Sequence, residues 1–105
     1  MILNGMAASS GKFKGKIKIY NRDKKFTKDD ILVAEATSPE MCVEMLSSGA
    51  VVTQFGGILS HAAIFCRELK KPCVVGVSNL FEFVKEGNIA EVDGDKGIIK
   101  ILDDK

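Results

Sequence analysis

The sequence has no tryptophan, one histidine, one tyrosine and only two prolines among its 105 residues. A single histidine is too few for most structural zinc sites, and the three cysteines include no C-x-x-C pair, so we expect no metal site. The cysteine count is odd, and no electropositive, exposed setting for a reactive thiol is visible in the sequence. We therefore predict reduced thiols in or near the core at Cys42, Cys66 and Cys73.

Long hydrophobic runs and a dominant charge are also missing. No apolar run approaches the roughly 20 residues of a membrane helix, and the N-terminus lacks the pattern of a signal peptide. Fifteen basic and fourteen acidic side chains give a net charge of +1, which favours neither nucleic acid nor a membrane as a partner. The length fits one small domain, and the sequence predicts a single soluble, cytoplasmic domain over residues 1–105.

The charges are unevenly distributed along the chain. Residues 1–28 contain eight basic and one acidic side chain, a net charge of +7, whereas the remainder contains seven basic and thirteen acidic side chains. Lys12, Lys14, Lys16 and Lys18 alternate with other residues, which predicts a strand with every lysine on one face. Two interpretations stay open: a solvated strand face, which could also guard a sheet edge, or a docking face for an acidic partner domain.

Hydrophobic patterning predicts alternating strands and helices in the middle of the chain, which favours a parallel sheet covered by helices. Thr37-Ser38-Pro39-Glu40 is typical of a helix start, with the Thr37 hydroxyl as the cap. Shorter strands at the two ends are expected to be antiparallel, including a hairpin around residues 93–97. The predicted strands of the middle are 16–20, 31–35, 50–53 and 73–77, and the predicted helices are 37–49, 60–69 and 80–85.

One glycine-containing loop has the composition of an anion site. Gly56 and Gly57 follow a predicted strand, and Ser60, His61 and Ala62 open a predicted helix. Glycines permit unusual backbone conformations and let N–H groups approach a ligand closely, while the first turn of a helix offers unpaired N–H donors and a positive dipole. This dipole favours the uncharged, nucleophilic imidazole and would stabilise a phosphoryl group on the ring.

The residues alone leave three roles open for His61: a surface or capping histidine, a phosphate site, or a general acid–base. A resemblance to a known family favours the phosphate site. The segment 56–69, together with Pro72-Cys73-Val74-Val75-Gly76, closely resembles the mobile phosphohistidine domain of phosphoenolpyruvate-utilising enzymes, such as pyruvate phosphate dikinase, phosphoenolpyruvate synthase and related antibiotic phosphotransferases. Residues 5–11 and 15–17 resemble the opening strands of that family, and residues 93–97 resemble its closing hairpin.

The resemblance implies an α/β fold of three layers, the β/β/α swivelling fold, with a central parallel sheet and a smaller antiparallel sheet. It implies that His61 is phosphorylated through Nε2. Arg67 matches an arginine of the family, but its six-residue offset from His61 suggests a structural or surface role. Leu59 stands where many members have a threonine, so the regulatory phosphorylation of that threonine in plant-type dikinases is expected to be absent. The loop around the phosphoryl group would consist of Gly56, Gly57, Ser60 and Ala62.

The resemblance also implies partners. Full enzymes of the family add a nucleotide-binding domain and a substrate barrel, and these 105 residues contain neither a P-loop nor an acidic metal cluster. Magnesium and ATP are therefore expected on partner domains, one ATP-grasp-like and one that binds phosphoenolpyruvate or pyruvate, with no cofactor bound by this chain. The sequence predicts a phosphotransferase component that is not self-sufficient. The alternative is a non-catalytic binding or regulatory module with the same fold.

Overall fold

A computed structural model describes residues 1–103 of the chain. It contains eight strands, three short α-helices and one 3-10 helix. The strands are β1 (Ile2–Asn4), β2 (Met6–Ser9), β3 (Lys12–Ile19), β4 (Asp30–Ala34), β5 (Ala50–Thr53), β6 (Cys73–Val75), β7 (Ile89–Asp93) and β8 (Ile98–Ile101). The α-helices are α1 (Cys42–Ser47), α2 (His61–Leu69) and α3 (Leu80–Phe83), and the 3-10 helix is Pro39–Met41.

The eight strands are hydrogen-bonded in the order β1-β8-β7-β3-β4-β5-β6-β2. The central pairs β3–β4, β4–β5 and β5–β6 are parallel, as the strand–helix alternation predicts. The strands from the chain ends pair antiparallel, and β7 and β8 form the predicted hairpin. The predicted combination of a parallel centre with antiparallel outer strands is confirmed.

The sheet separates two hydrophobic clusters, because successive side chains of a strand point to opposite faces. Ile31 and Val33 of β4 belong to a cluster with β7, β8 and α3. Leu32 and Ala34 belong to the other cluster, which contains the buried faces of α1 and α2. Strands β6 and β7 contact each other although they are not neighbours in the sheet, so the antiparallel part folds over the parallel part. The result is the predicted three-layer β/β/α arrangement.

The chain's first two strands close this curled sheet. β1 and β2 are consecutive in sequence, yet they lie at opposite ends of the strand order. Gly5 joins them, and its N–H donates to the Gly97 carbonyl at 2.8 Å. A Cβ atom at Gly5 would lie 2.7 Å from the Val75 carbonyl oxygen, so any larger residue would clash with β6 at this position. The bend at Gly5 thereby lets one short segment pair with both ends of the sheet.

The strand with alternating lysines is β3, and it lies between β4 and β7. Lys12, Lys14 and Lys16 are exposed, as the alternation predicts, whereas Lys18 is half-buried, with its ammonium 5.3 Å from the centre of the Phe26 ring. β3 pairs with β7 over residues 12–16 and with β4 over residues 16–19, so Lys12 and Lys14 lie where β3 has a strand partner on one side only. The exposed lysines fit the interpretation of a solvated strand face, and a role in protecting a sheet edge stays a prediction. The docking interpretation stays a prediction.

The predicted start of the first helix is wrong in one detail. Ser38, not Thr37, precedes the 3-10 helix, and no side chain caps it. α1 then begins at Cys42. The Thr37 hydroxyl forms a hydrogen bond with a different segment, described below.

The longest helix in residues 1–103, α2, has nine residues, far fewer than the roughly 20 needed to cross a bilayer, and none of the helices there qualifies as a membrane span.

Candidate functional site

Two loops at the carboxyl edge of the parallel strands bring Thr37 and His61 together. Thr37 follows β4, and His61 follows β5 as the first residue of α2. β4 and β5 are parallel neighbours, so the loops that leave them begin side by side. The pairing continues past the strand ends, because the Phe55 N–H donates to the Glu35 carbonyl at 2.8 Å. As a result, Thr37 Oγ1 lies 2.8 Å from His61 Nδ1.

The imidazole of His61 is half-buried and held on two sides. Besides the Thr37 contact at Nδ1, the ring stacks on Phe65, with 5.6 Å between ring centres and 26° between ring planes. Phe65 is one helical turn further along α2, on the same face as His61. Within residues 1–103 the Nε2 atom has no hydrogen-bond partner. Phe65 and Thr37 therefore fix the ring while leaving Nε2 free.

The Thr37 contact bears directly on which nitrogen can react. In a neutral imidazole one ring nitrogen carries the proton and the other carries the lone pair. When Nδ1–H donates to the Thr37 hydroxyl oxygen, the lone pair resides on Nε2. In that tautomer the contact suits a nucleophile at Nε2, which is the atom that the sequence resemblance implies. If the hydroxyl instead donates to Nδ1, the proton resides on Nε2.

The start of α2 provides backbone donors next to this ring. Ser60 is the N-cap in extended conformation, and its hydroxyl accepts a hydrogen bond from the Ala63 N–H at 3.4 Å. In the part of the chain that the structure describes, the N–H groups of His61 and Ala62 donate to no protein acceptor. They are the unpaired donors of a helix start, which attract an anion. The Ala62 side chain is buried, so Ala62 could contribute to an anion site only through its backbone N–H.

The two loop glycines differ in what they require. Gly56 has φ +114°, a conformation that other residues rarely adopt, and a Cβ there would approach Ser60 at 3.1 Å. Gly57 has no positive φ, and a Cβ there would meet only Met6 Cε at 3.9 Å. An unusual backbone conformation is therefore required at Gly56 and not at Gly57. Gly57 could still matter by letting a ligand approach its backbone.

Apolar side chains exposed around His61 are a feature that the sequence analysis missed. Leu59 is 78% exposed, the largest value among the exposed large hydrophobic residues. Phe55, Ile58 and Ile64 are also exposed. Four apolar residues on a loop and the helix that it opens are a signal for a contact surface, because monomeric proteins rarely gather exposed apolar groups in one place.

Arg67 does not reach the His61 ring. Its Nε donates to the Ala8 carbonyl at 2.9 Å and so ties α2 to β2. The structural interpretation of Arg67 is confirmed, although its partner is a backbone carbonyl and not a carboxylate.

Cys66 and Cys73 are buried between α2 and the sheet, and Cys42 is half-buried. The hydrogen bond to Cys66 and burial both raise the pKa of the Cys73 thiol well above its ordinary value. Across residues 1–103, no group of three or more His, Cys, Asp or Glu side chains is arranged to hold a metal ion.

Comparisons with known proteins agree on one family. Residues 26–97 match the family described as "PEP-utilising enzyme, mobile domain". A protein of Archaeoglobus fulgidus named probable phosphoenolpyruvate synthase is 41% identical over 102 residues, covering 94% of this chain and 14% of the relative. An uncharacterized phosphotransferase of Bacillus subtilis is 40% identical over 101 residues, covering 93% of this chain and 12% of the relative. The chain thus spans only 12–14% of the length of these relatives.

Solved structures give the same result for the fold. An Enzyme I protein solved by NMR superposes with a TM-score of 0.61 and 32% identity, covering 79% of this chain and 34% of that chain. Aconitase X of Thermococcus kodakaraensis superposes with a TM-score of 0.72 over 98% of this chain and 99% of that chain. Its identity is only 17%, so this second likeness concerns the fold alone.

Proposed function

Because the chain belongs to the family of PEP-utilising enzyme mobile domains, we propose that it is a phosphocarrier whose His61 accepts a phosphoryl group. In this proposal His61 passes the group between a nucleotide site and a phosphoenolpyruvate- or pyruvate-type acceptor site, both on partner domains. One observation carries the proposal: Thr37 holds Nδ1 at 2.8 Å, while Nε2 has no partner in residues 1–103.

The proposed transfer is a displacement at phosphorus. The Nε2 lone pair forms the N–P bond, and the bond between phosphorus and the donor's leaving atom breaks. That atom is an oxygen in ATP or phosphoenolpyruvate and the nitrogen in phosphoramidate. The ring becomes cationic as it shares its lone pair. In the tautomer with the proton on Nδ1, the Thr37 hydroxyl oxygen accepts the Nδ1–H hydrogen bond and would stabilise that charge. Return of the phosphoryl group to an acceptor oxygen reverses these changes.

The helix start would favour the phosphorylated form. A phosphoryl group on Nε2 carries negative charge, and the unpaired N–H groups of His61 and Ala62 and the positive end of α2 attract it. The Ser60 hydroxyl is a further donor at the same turn. Gly56 has a positive φ that other residue types rarely adopt, and the absence of a side chain at Gly57 leaves open space beside the loop.

The partner domains would supply what these residues do not. Magnesium and ATP or phosphoenolpyruvate, bound there, would neutralise and orient the transferring group. The alternative, a non-catalytic module, would give no role to the Nε2 atom, which has no partner in residues 1–103. No observation favours that alternative over the carrier.

The test is direct phosphorylation of the 105-residue chain. Phosphoramidate, a small-molecule donor, and a family nucleotide-binding domain with Mg-ATP should each add one phosphate that is lost in acid and kept in base. Phosphorus NMR should show attachment at Nε2. His61→Ala should take up none while its circular dichroism stays that of the wild type. Equal labelling of His61→Ala would contradict the proposal.

A further inference from the structure

A cavity of about 480 Å³ lies beside the His61 site, at the carboxyl ends of β3 and β4. Its size is within the range of binding pockets for small groups. Two carboxylates lie on an otherwise largely apolar wall. Its lining includes Tyr20, Glu35, Ser38, Glu40, Met41 and Phe81.

Within residues 1–103, the two exposed carboxylates of this cavity have no cationic partner. None of the ion pairs formed by residues 1–103 includes Glu35 or Glu40. The Ser38 hydroxyl donates to Glu40 Oε1 at 3.1 Å, which orients that carboxylate but leaves its charge unpaired. The nearby Lys24 is already paired with Glu86 at 3.0 Å. Water can solvate both exposed carboxylates, and the Lys24 ammonium donates to the carbonyl of Ile19, another lining residue, at 3.0 Å. The two glutamates nevertheless give the cavity lining a negative charge, which a cationic side chain would complement.

The aromatic walls narrow the kind of cation. Tyr20 and Phe81 are half-buried and contribute ring surface to the cavity. A guanidinium group is planar, stacks on aromatic rings and donates paired hydrogen bonds to carboxylates, whereas an ammonium group is compact and strongly hydrated. Ring surface beside two carboxylates thus suits a guanidinium better than an ammonium.

One loop connects the cavity to the phosphorylation site. Ala36 and Ser38 line the cavity, and Thr37 between them holds His61 Nδ1. A protein that covers His61 would therefore lie over the mouth of the cavity as well. Phosphoryl transfer requires cationic groups around the transferring phosphoryl group. The surface that faces His61 in a donor is accordingly basic, and the two carboxylates complement it.

We propose that this cavity receives an arginine side chain of the partner domain that docks over His61. The proposal rests on the phosphocarrier function. The guanidinium inserts between Tyr20 and Phe81 and binds Glu35 and Glu40, which fixes the orientation in which Nε2 meets the donor phosphate.

The first experiment measures recognition without a partner protein. Amide shifts of the chain are followed by NMR during titration with N-acetyl-arginine amide, and in parallel with the uncharged isostere N-acetyl-citrulline amide and with N-acetyl-lysine amide. We expect arginine to perturb residues 35–41 and Phe81, with binding in roughly the millimolar range for so small a ligand. Citrulline should bind at least about fivefold more weakly, because its contacts are not charge-assisted. Equal responses to arginine and to either of the other two compounds would overturn the guanidinium assignment.

The second experiment measures docking. The double variant Glu35→Gln/Glu40→Gln is compared with Glu68→Gln/Asp29→Asn, which removes two exposed charges away from the cavity. With a nucleotide-binding domain and Mg-ATP as donor, we expect the KM for the first variant to rise roughly tenfold and the KM for the control to stay at the wild-type value. With phosphoramidate all three chains should be phosphorylated at the same rate.

The outcomes separate the two proposals. An unchanged KM in Glu35→Gln/Glu40→Gln would overturn the arginine site and leave the carrier function standing. Wild-type chain without label on His61 from either donor would contradict the carrier function, while the titration would still report on the cavity.

Discussion

Thr37 and His61 lie 24 residues apart in the chain, and 2.8 Å separates Thr37 Oγ1 from His61 Nδ1. The contact exists because β4 and β5 are parallel neighbours whose following loops run side by side. It assigns Thr37 a positioning role: the hydroxyl touches the ring nitrogen opposite to the one that would react. In the proposed function, the tautomer and therefore the reactivity of His61 depend on this residue of another loop.

Thr37→Val, which keeps the side-chain shape and removes the hydroxyl, should slow phosphorylation of His61. The Nδ1–H would lose its acceptor, so the tautomer with a free Nε2 lone pair would no longer be favoured. The loss of one hydrogen bond is worth about 1 kcal/mol, which corresponds to a decrease of roughly fivefold in rate. The measurement is the rate of phosphate uptake from phosphoramidate.

Thr37→Ser is the matched control, since it restores the hydroxyl, and we expect it to recover most of the rate. Nitrogen NMR of the imidazole adds a readout that a purely structural role would not change: the wild type should carry its proton on Nδ1, and Thr37→Val should show a mixture. A Thr37→Val chain with wild-type rate and tautomer would remove Thr37 from the site.

How much of this could be predicted from the sequence depends on the distance between the residues involved. The parallel core was predictable because each strand and helix has a local hydrophobic pattern, as in β5 and α2. The role of Thr37 was not. Locally, Thr37-Ser38-Pro39-Glu40 has the composition of a helix cap, and only the strand order shows that the hydroxyl lies beside His61. The closing role of β1 and β2 was hidden for the same reason, since pairing at both ends of the sheet is a property of the whole fold.

The loop glycines show the same limit within a few residues. Gly56 and Gly57 are identical neighbouring residues, so the sequence alone predicts the same role for both. The structure gives only Gly56 a backbone conformation with positive φ. Which of two neighbouring glycines has that conformation depends on how the chain enters α2, and no residue type in the loop determines it.

Gly56→Ala and Gly57→Ala should therefore have different effects on stability. Alanine at position 56 must adopt φ near +114° and places a Cβ 3.1 Å from Ser60. We expect the free energy of unfolding to fall by roughly 1–3 kcal/mol, which lowers the melting temperature by roughly 4–8 °C per kcal/mol in a domain of this size. Thermal unfolding followed by circular dichroism is the measurement.

Gly57→Ala should unfold at the wild-type temperature, because a Cβ there meets only open space and Met6 Cε at 3.9 Å. The larger Gly57→Val then tests function without a large loss of stability. If the Gly57 backbone approaches the phosphoryl group, labelling of Gly57→Val should fall much more than its stability does. Wild-type labelling would mean that Gly57 only connects the loop.

The cysteines should differ in reactivity. Cys42 is half-buried, whereas Cys66 and Cys73 are fully buried. When the native chain is treated with a thiol-specific chromogenic disulfide at neutral pH, one thiol, that of Cys42, should react quickly. The thiols of Cys66 and Cys73 should react only after unfolding. Raising the pH moderately should not make Cys73 react, because the hydrogen bond to Cys66 and burial raise the pKa of its thiol and keep it protonated. Three fast thiols in the folded chain would contradict the buried positions of Cys66 and Cys73.

The last prediction concerns the chain without partners. The proposed anion site at the start of α2 has a few N–H groups near one histidine, which would suffice for a single phosphoryl group and are too few to surround a triphosphate. Residues 1–103 contain no cluster of metal-binding side chains that could place magnesium next to ATP. We therefore expect the 105-residue chain to bind Mg-ATP more weakly than about millimolar, and to show no measurable ATP hydrolysis or conversion of phosphoenolpyruvate.

Isothermal calorimetry with Mg-ATP, followed by a phosphate-release assay, checks this expectation. The His61→Ala chain is the control, because any weak heat that comes from the anion site should persist in it while phosphoryl transfer cannot. Addition of a nucleotide-binding domain of the family should then start phosphorylation of the wild-type chain alone. Stoichiometric binding of Mg-ATP by the isolated chain, or turnover without a partner, would mean that the donor site lies on this domain and that the division between carrier and partner is wrong.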